Sequence, residues 1–300
     1  MLSASGRVGT MKLVIGLLCA VMASSALYAH EGVARPTGCL VTAMKEAAAK
    51  AGHNLFFHHT VGPKRVRLPA PTDDGAGDLA RLARAGSVHL IPVRFSDSDE
   101  QPAGRSWLVS SHRQRPVEVP ALEGWETREV NVQVHDVPAG SVIQMVLRQL
   151  GGTINVTLAP DLSGLTTAFV TDLPARAVLS IFAHCMDARF SPFPSVKGAY
   201  MVARHRPEDV VFEPSLEGAR PGNLTLMSQR IHAADVLMMI SLNGGFTLEF
   251  DDRELPSAMA VELNDITPLS GLKLVAAAAR LDVLNSPRGP GHYIVRPSSR

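Results

Sequence analysis

The chain lacks the features that mark a nucleic-acid-binding protein or a disulfide-rich scaffold. Its 300 residues include 29 Lys and Arg against 28 Asp and Glu, which gives a formal net charge of +1. Phosphate contacts need a clustered excess of basic side chains, so we expect no nucleic-acid partner. The 3 cysteines are too few to build a fold around disulfides. The composition therefore excludes both classes.

The sequence motifs of common enzyme classes are also missing. After residue 29 there is no Gly-rich phosphate loop, no GxSxG and no HExxH. No pair of carboxylates stands out from the ordinary surface acids. We therefore expect a non-catalytic protein that carries no cofactor.

Long apolar runs are confined to the N-terminal leader. Residues 1–29 combine a positively charged start, a short apolar run and small residues at the end, which is typical of a secretory signal peptide. The sequence leaves two cleavage sites open, after Ala26 or after Ala29. It also leaves two start residues open, Met1 or Met11. No later run reaches membrane length, so we expect a mature chain without a membrane span. The predicted location is the periplasm, with an association to the outer membrane as an option.

Two cysteines, Cys39 and Cys185, follow the leader. In an oxidising compartment they could pair, and the sequence leaves this open. Cys185 shares one helical face with Val178, Ile181 and Phe182. That spacing favours a buried thiol over a disulfide.

A strand, helix, strand, strand, helix, strand pattern occupies residues 129–204. It opens with Val130–Asp136, in which valines alternate with polar residues as in a half-buried strand. Helical spacing of apolar residues predicts helices at Pro138–Leu150 and Pro174–Met186. Further alternating runs predict strands at residues 153–158, 165–170 and 199–203.

The pattern recurs later in the chain. Asp172 and Asp265 lie 93 residues apart (265 minus 172), as do Tyr200 and Tyr293 (293 minus 200). Shared spacing of independent landmarks indicates an internal repeat. A weaker copy precedes both, with an opening strand that is hard to find and glycines in its second helix.

We therefore predict an α+β protein made of tandem small βαββαβ modules, each with two helices packed on a short mixed sheet. The links at 111–128 and 205–223 are rich in proline and charge, a composition that permits limited reorientation of neighbouring modules. The predicted division is a signal peptide at 1–29, a degenerate first module at 30–111, a second at 129–204 and a third at 224–297.

These modules resemble the short amino-terminal domains, STN and secretin N, of bacterial secretins and TonB-dependent receptors. The resemblance rests on the patterns at 134–151 and 167–179, followed by a closing Tyr200-Met201-Val202. It spans 38–297 and is weak in the first module. It implies periplasmic, non-catalytic modules that contact copies of themselves or partner proteins. The implied partner is a component of a secretion, pilus or outer-membrane receptor assembly.

Strand edges are the expected contact sites. Unpaired N–H and C=O groups at an edge accept a strand from a partner or dock against a neighbour. For each predicted contact residue, the alternative is an ordinary solvated strand face. A different candidate function is binding of a small ligand or cell-wall component in the grooves between modules. The predicted contact residues face outward beside edges and are Asn131, Gln133, His135, Thr247, Glu249 and Asp251.

We expect no metal site. His58 and His59 are adjacent on a predicted strand, so their rings should point to opposite faces. His30 would become N-terminal after cleavage at Ala29, where an amine and an imidazole can bind copper, but nothing else supports that chemistry. The acidic turn at 251–254 lacks the spacing of an EF-hand.

Overall fold

The computed structural model describes residues 37–96, 106–119, 124–151, 154–162, 164–216, 222–251, 255 and 258–299. The predicted signal peptide, His30 and residues 252–254 of the acidic turn lie outside these ranges. The described residues belong to one compact unit, Pro36–Arg300. Among them, none of the helices combines the length and the apolar character that crossing a membrane requires.

The α+β class is confirmed, with six helices and several small sheets in the described part of the chain. Three consecutive units share the order βαββαββ. The first unit contains β1 (Thr37–Cys39), α1 (Leu40–Ala51), β2 (Asn54–Phe57), β3 (Arg65–Arg67), α2 (Gly75–Gly86), β4 (His89–Phe95) and β5 (Ser106–Ser110). A short strand, β6 (Val117–Val119), follows in the link.

The second and third units repeat this order without large insertions. The second contains β7 (Glu129–Pro138), α3 (Ala139–Gln149), β8 (Asn155–Leu158), β9 (Leu165–Pro174), α4 (Ala175–Cys185), β10 (Arg189–Pro192) and β11 (Ala199–Ala203). The third contains β12 (Leu224–Ile231), α5 (Ala233–Gly244), β13 (Thr247–Phe250), β14 (Met259–Ile266), α6 (Pro268–Ala278), β15 (Leu281–Asn285) and β16 (His292–Pro297).

Every unit divides its five strands in the same way. The first and third strands form an antiparallel ribbon: β1 with β3, β7 with β9, and β12 with β14. The second, fourth and fifth strands form a mixed sheet, in which the second and fifth run parallel. The ribbon and the sheet are therefore separate layers within one unit.

Aspartates in the left-handed conformation mark several helix entries. Asp136, Asp172 and Asp265 have φ angles of 51°, 49° and 47° and stand shortly before α3, α4 and α6. Short polar side chains tolerate this conformation better than bulky ones. Asp172 and Asp265, which the spacing predicted to be equivalent, thus also share a backbone conformation.

Neighbouring units are joined by strand pairing. β2 of the first unit pairs antiparallel with β9 of the second, which gives a six-stranded sheet of order β6-β4-β5-β2-β9-β7. In the same way β8 pairs with β14, which gives a five-stranded sheet of order β10-β11-β8-β14-β12. We call these two pairings the first and second joints.

The structure therefore differs from the expected string of loosely linked modules. The second and third units share one apolar core, which also takes in Phe56 of the first unit. Both links pair with a unit. In the first link β6 pairs with β4, and in the second link Phe212 forms a parallel β-bridge with Val283. Strand edges also pair across the units, which restrains the limited reorientation that the composition of the links permits. The module limits themselves remain a prediction.

Sequence reasoning missed one strand in the second and third units. β10 and β15 follow their helices after a single tight turn, at Asp187 (φ 56°) and Arg280 (φ 55°). β10 contains a proline and one buried apolar residue, Phe190, so its alternation is weak. The repeating unit is therefore βαββαββ instead of βαββαβ.

Candidate functional site

The third unit repeats the strand edge that forms both joints. β13 occupies the place of β2 and β8, and on its outer side it pairs with no strand among the described residues. The N–H of Thr247 donates to Gly291, the residue before β16, and the N–H of Asp251 donates to Val295 of β16. The backbone groups of Leu248 and Phe250, which alternate with them, therefore point to the outer edge. We call this the acceptor edge.

The equivalence of the three edges is shown by one hydrogen bond. The N–H just after the strand donates to the parallel neighbour in each unit: His58 to Val109 at 2.9 Å and Ala159 to Val202 at 2.9 Å. Asp251 donates to Val295 at 3.0 Å. The three strands therefore present the same groups outward.

The two joints also share one register. In the first joint Leu55 faces Phe169, and in the second Val156 faces Glu262. Leu55 and Val156 are equivalent, because each faces the aromatic residue of its parallel partner, Trp107 or Tyr200. Leu248, which faces Tyr293, is the third member of this set. An incoming strand at the acceptor edge thus has a defined position.

No described helix of another unit covers one face of the third sheet. In the second unit the same face carries Asn155, Thr157 and Met201, which are buried where α6 contacts β8 and β11. In the third unit the corresponding side chains of Thr247 and Glu249 are exposed or half-buried. At the equivalent positions Thr157 gives way to Glu249 and Met201 to Ile294, so the face changes from buried to partly exposed.

The helix beside the acceptor edge shows a matching difference. Position Gln144 on α3 lies 94 residues before Met238 on α5 (238 minus 144), and both helices begin 94 residues apart (233 minus 139). Gln144 is 3% exposed because α3 lies on the ribbon β12–β14. Met238 is 45% exposed, and Leu242, one turn later, is 78% exposed. An apolar surface therefore flanks the acceptor edge.

The predicted contact residues of the third unit all lie on this uncovered sheet. Thr247 and Asp251 are exposed, and Glu249 is half-buried. The carboxylate of Glu249 forms an ion pair with Arg288, with an N–O distance of 3.2 Å. The structure thus brings these three residues together beside the acceptor edge.

The predicted contact residues of the second unit lie on β7, in a different sheet. Asn131, Gln133 and His135 are exposed, yet the edge of β7 is partly closed. The side-chain amide of Gln149 accepts from the Asn131 N–H at 3.0 Å and donates to the Asn131 C=O at 2.9 Å. β7 also has register shifts on both sides of Val132–Val134. It is therefore a poorer acceptor than β13.

A groove lies between the second and third units. It has a volume of about 430 Å³, and its lining includes Ser141, Gln229 and Arg230. Close by, Glu262 is buried, and this burial raises the pKa of its carboxyl although Asn264 and Arg148 oppose the shift. Its Oε2 has no hydrogen-bond partner in the described part of the chain. This is the kind of groove expected for the alternative function.

The structure corrects the expectation for His58 and His59. β2 ends at Phe57, so strand alternation does not extend to the two histidines. Their ring centroids are 4.5 Å apart, and both Nε2 atoms contact the carboxylate of Asp187. Burial lowers the pKa of His58, and the Asp187 contact opposes that effect. No sequence signal pointed to Asp187, which is 128 residues from His59 (187 minus 59).

Both cysteines are free thiols. Cys185 is buried as predicted, and burial raises its pKa well above the usual range. Cys39 is half-buried at the start of α1. Hydrogen bonding from the Thr42 backbone lowers the pKa of Cys39. The structure therefore contains no disulfide among its described residues.

No protein-family model, curated protein or solved structure matches the chain. The resemblance to secretin and receptor amino-terminal domains stays a prediction.

Proposed function

We propose that the chain is a periplasmic, non-catalytic protein-interaction module whose third unit accepts a β-strand from a partner protein. In this role it acts as an adaptor or scaffold in an envelope secretion, pilus or outer-membrane receptor assembly, as the resemblance implies. The single observation that supports strand acceptance is the pair of joints. The same edge is filled twice within the chain in one register, and its third copy pairs with no strand among the described residues.

The surroundings of the acceptor edge define the strand that fits it. In the second joint Leu158 faces Ala260, and Ala260 lies against Gly140 of α3. By equivalence, incoming residues opposite Leu248 and Phe250 lie against α5, where Met238 and Leu242 favour apolar side chains. The residue opposite Glu249 faces the polar side and is expected to be polar or basic. The partner therefore supplies an antiparallel strand with alternating character.

A partner protein fits this edge better than a second copy of the chain. If a second copy supplied the incoming strand, that strand would be β3 of its first unit together with the residues after β3. Helices α2 and α4 begin 100 residues apart (175 minus 75), which places Pro69 at the position of Phe169. Phe169 faces Leu55 in the first joint, and a proline there has no N–H to donate. Self-association by this route loses one of its hydrogen bonds.

The test is photocrosslinking in the cell envelope with a matched pair of variants. A photoreactive amino acid at Thr247 should give one adduct with an envelope protein, identified by mass spectrometry. Met238→Glu places a charge in the apolar flank and should abolish the adduct. Met239→Glu is the control, because Met239 is 42% exposed and is equivalent to Met145, which is also exposed in the second unit.

Two results would contradict the proposal. One is an adduct that survives Met238→Glu as well as it survives Met239→Glu. The other is a crosslink only between copies of the chain, which would favour self-association. Amide hydrogen exchange at Leu248 and Phe250 adds a direct readout, since both amides should be protected when the purified partner is added.

The groove between the second and third units supports a second candidate, binding of a small ligand or cell-wall fragment. Arg230 and Gln229 line it together with apolar residues, as in many ligand sites. Soluble peptidoglycan fragments should then raise the melting temperature of the wild type and not of Arg230→Ala. Equal melting temperatures with and without fragments would remove this candidate.

A further inference from the structure

We propose that His58, His59 and Asp187 form a zinc-binding site at the first joint. His58 and His59 directly follow β2, the strand with which the first unit enters the joint. Asp187 stands in the turn between α4 and β10 of the second unit. The site would thus link the two units through one ion, independently of the acceptor edge.

The donor atoms already lie close together. His58 Nε2 is 3.1 Å from Asp187 Oδ1, and His59 Nε2 is 2.7 Å from Asp187 Oδ2. One donor atom from each of the three residues falls within 4.8 Å of the others. Tetrahedral zinc with bonds of about 2.0–2.1 Å needs donor atoms about 3.3 Å apart. Small side-chain adjustments therefore suffice to bind the ion.

The donor set fits zinc and does not fit calcium or magnesium. Two imidazole nitrogens and one carboxylate oxygen form the protein ligands of several zinc sites that keep a fourth position for water. Calcium and magnesium prefer all-oxygen sites, and the set contains no thiolate for a softer ion. A groove lined by Asp161, Met186 and Arg204 adjoins His59. Water can therefore reach the fourth position.

Outer contacts hold the ligands in place. Thr60 Oγ1 lies 2.9 Å from His58 Nδ1, and the Ser111 hydroxyl donates to Thr60 Oγ1 at 2.8 Å. Metal-binding histidines commonly use their second nitrogen in this way. The backbone N–H of His59 donates to the C=O of Cys185 at 3.1 Å, which fixes the first unit beside the Asp187 turn. The cluster is therefore supported from both units.

The test is titration of the purified full chain with zinc chloride, followed by calorimetry, and with cobalt(II), followed by visible absorption. We expect one ion per chain and ligand-field bands typical of nitrogen and oxygen donors. His59→Gln and Asp187→Asn should lose stoichiometric binding. Thr60→Val should weaken binding by about 10- to 100-fold, as other changes around zinc ligands do.

The variants are chosen to keep the fold. The His59 side chain is 38% exposed, and asparagine tolerates the positive φ of position 187 as aspartate does. His135→Gln is the matched control, because His135 also has a neighbouring carboxylate, Asp136 at 3.6 Å, and lies outside the site. Circular dichroism of each variant verifies folding.

Absence of stoichiometric zinc binding to the wild type would overturn the proposal and leave a cluster held by hydrogen bonds alone. Binding that is equally tight in His59→Gln, Asp187→Asn and wild type would also overturn it, because the ion would then sit elsewhere. Should Asp187→Asn fail to fold, His59→Gln and the cobalt spectrum of the wild type still decide the question.

Discussion

The mixed sheets of the second and third units have the same topology and opposite surroundings. In the second unit, Thr157 is 0% exposed because α6 covers its face of the sheet. In the third unit the equivalent residue is Glu249, which pairs with Arg288 at the surface. The same position of the sheet thus holds a small buried residue where a helix covers it and a charged residue where no described helix of another unit does.

The helix beside the third sheet differs from the sheet face in its exposed residues. The third sheet has a charged residue, Glu249, on the face that no described helix of another unit covers, whereas α5 keeps Met238 and Leu242 exposed. Neighbouring apolar side chains that stay exposed are typical of interaction surfaces. The contrast favours a surface that is covered part of the time, which is why the proposed partner is placed there.

The largest loss of stability is expected from truncating a side chain on the covered face of a mixed sheet. Phe56, which is equivalent to Glu249, is fully buried and packs edge-on against Phe182 at a centroid distance of 5.5 Å. Phe56→Ala should lower the free energy of unfolding by about 3–5 kcal/mol. Glu249→Ala should change it by less than about 1 kcal/mol, because it removes a surface ion pair. Urea denaturation of the two variants measures the difference, and equal losses would break the comparison.

A smaller effect is expected where α3 approaches the next ribbon. A Cβ at Gly140 would lie 2.7 Å from the Cβ of Ala260, so Gly140→Ala should cost about 1–3 kcal/mol through overpacking. The equivalent position on α5 is Ala234 (234 minus 140 is 94), and no ribbon of a following unit lies against it in the described structure. Ala234→Gly should cost about 0.5–1 kcal/mol through helix propensity alone. Thermal unfolding of both variants tests this order.

The smallest change in stability is expected from the pH dependence of Glu262 at the second joint. Because the pKa of Glu262 is raised in the fold, the neutral carboxyl is favoured there. Its effect on stability is therefore most favourable below the ordinary glutamate pKa of about 4.3 and declines as pH rises toward the raised value. Glu262→Gln should remove this decline and stabilise the chain near neutral pH by about 1 kcal/mol. The free energy of unfolding of both proteins is measured from pH 4 to pH 8. Parallel pH dependences for wild type and Glu262→Gln would contradict the raised pKa of Glu262.

Local patterns predicted most of the secondary structure. The helical spacing that predicted a helix at Pro174–Met186 agrees with α4 at Ala175–Cys185. The helix predicted at Pro138–Leu150 likewise agrees with α3 at Ala139–Gln149, because apolar spacing is a local signal. Strand alternation also indicated that Thr247, Glu249 and Asp251 share a face.

The joints could not be predicted in this way. Pairing of Leu55 with Phe169 joins residues more than a hundred positions apart, and nothing near either residue specifies the register. The same limit applies to His58 and Asp187, whose contact depends on the first joint. The expectation that His58 and His59 diverge failed for a local reason, since the strand ends one residue too early.

The amide of Gln149 on the backbone of Asn131 bears on which edge a partner strand can join. It blocks strand addition to the six-stranded sheet at β7, whereas the outer edge of β13 pairs with no strand among the described residues. A partner that adds a strand is therefore expected to occupy β13 and not β7.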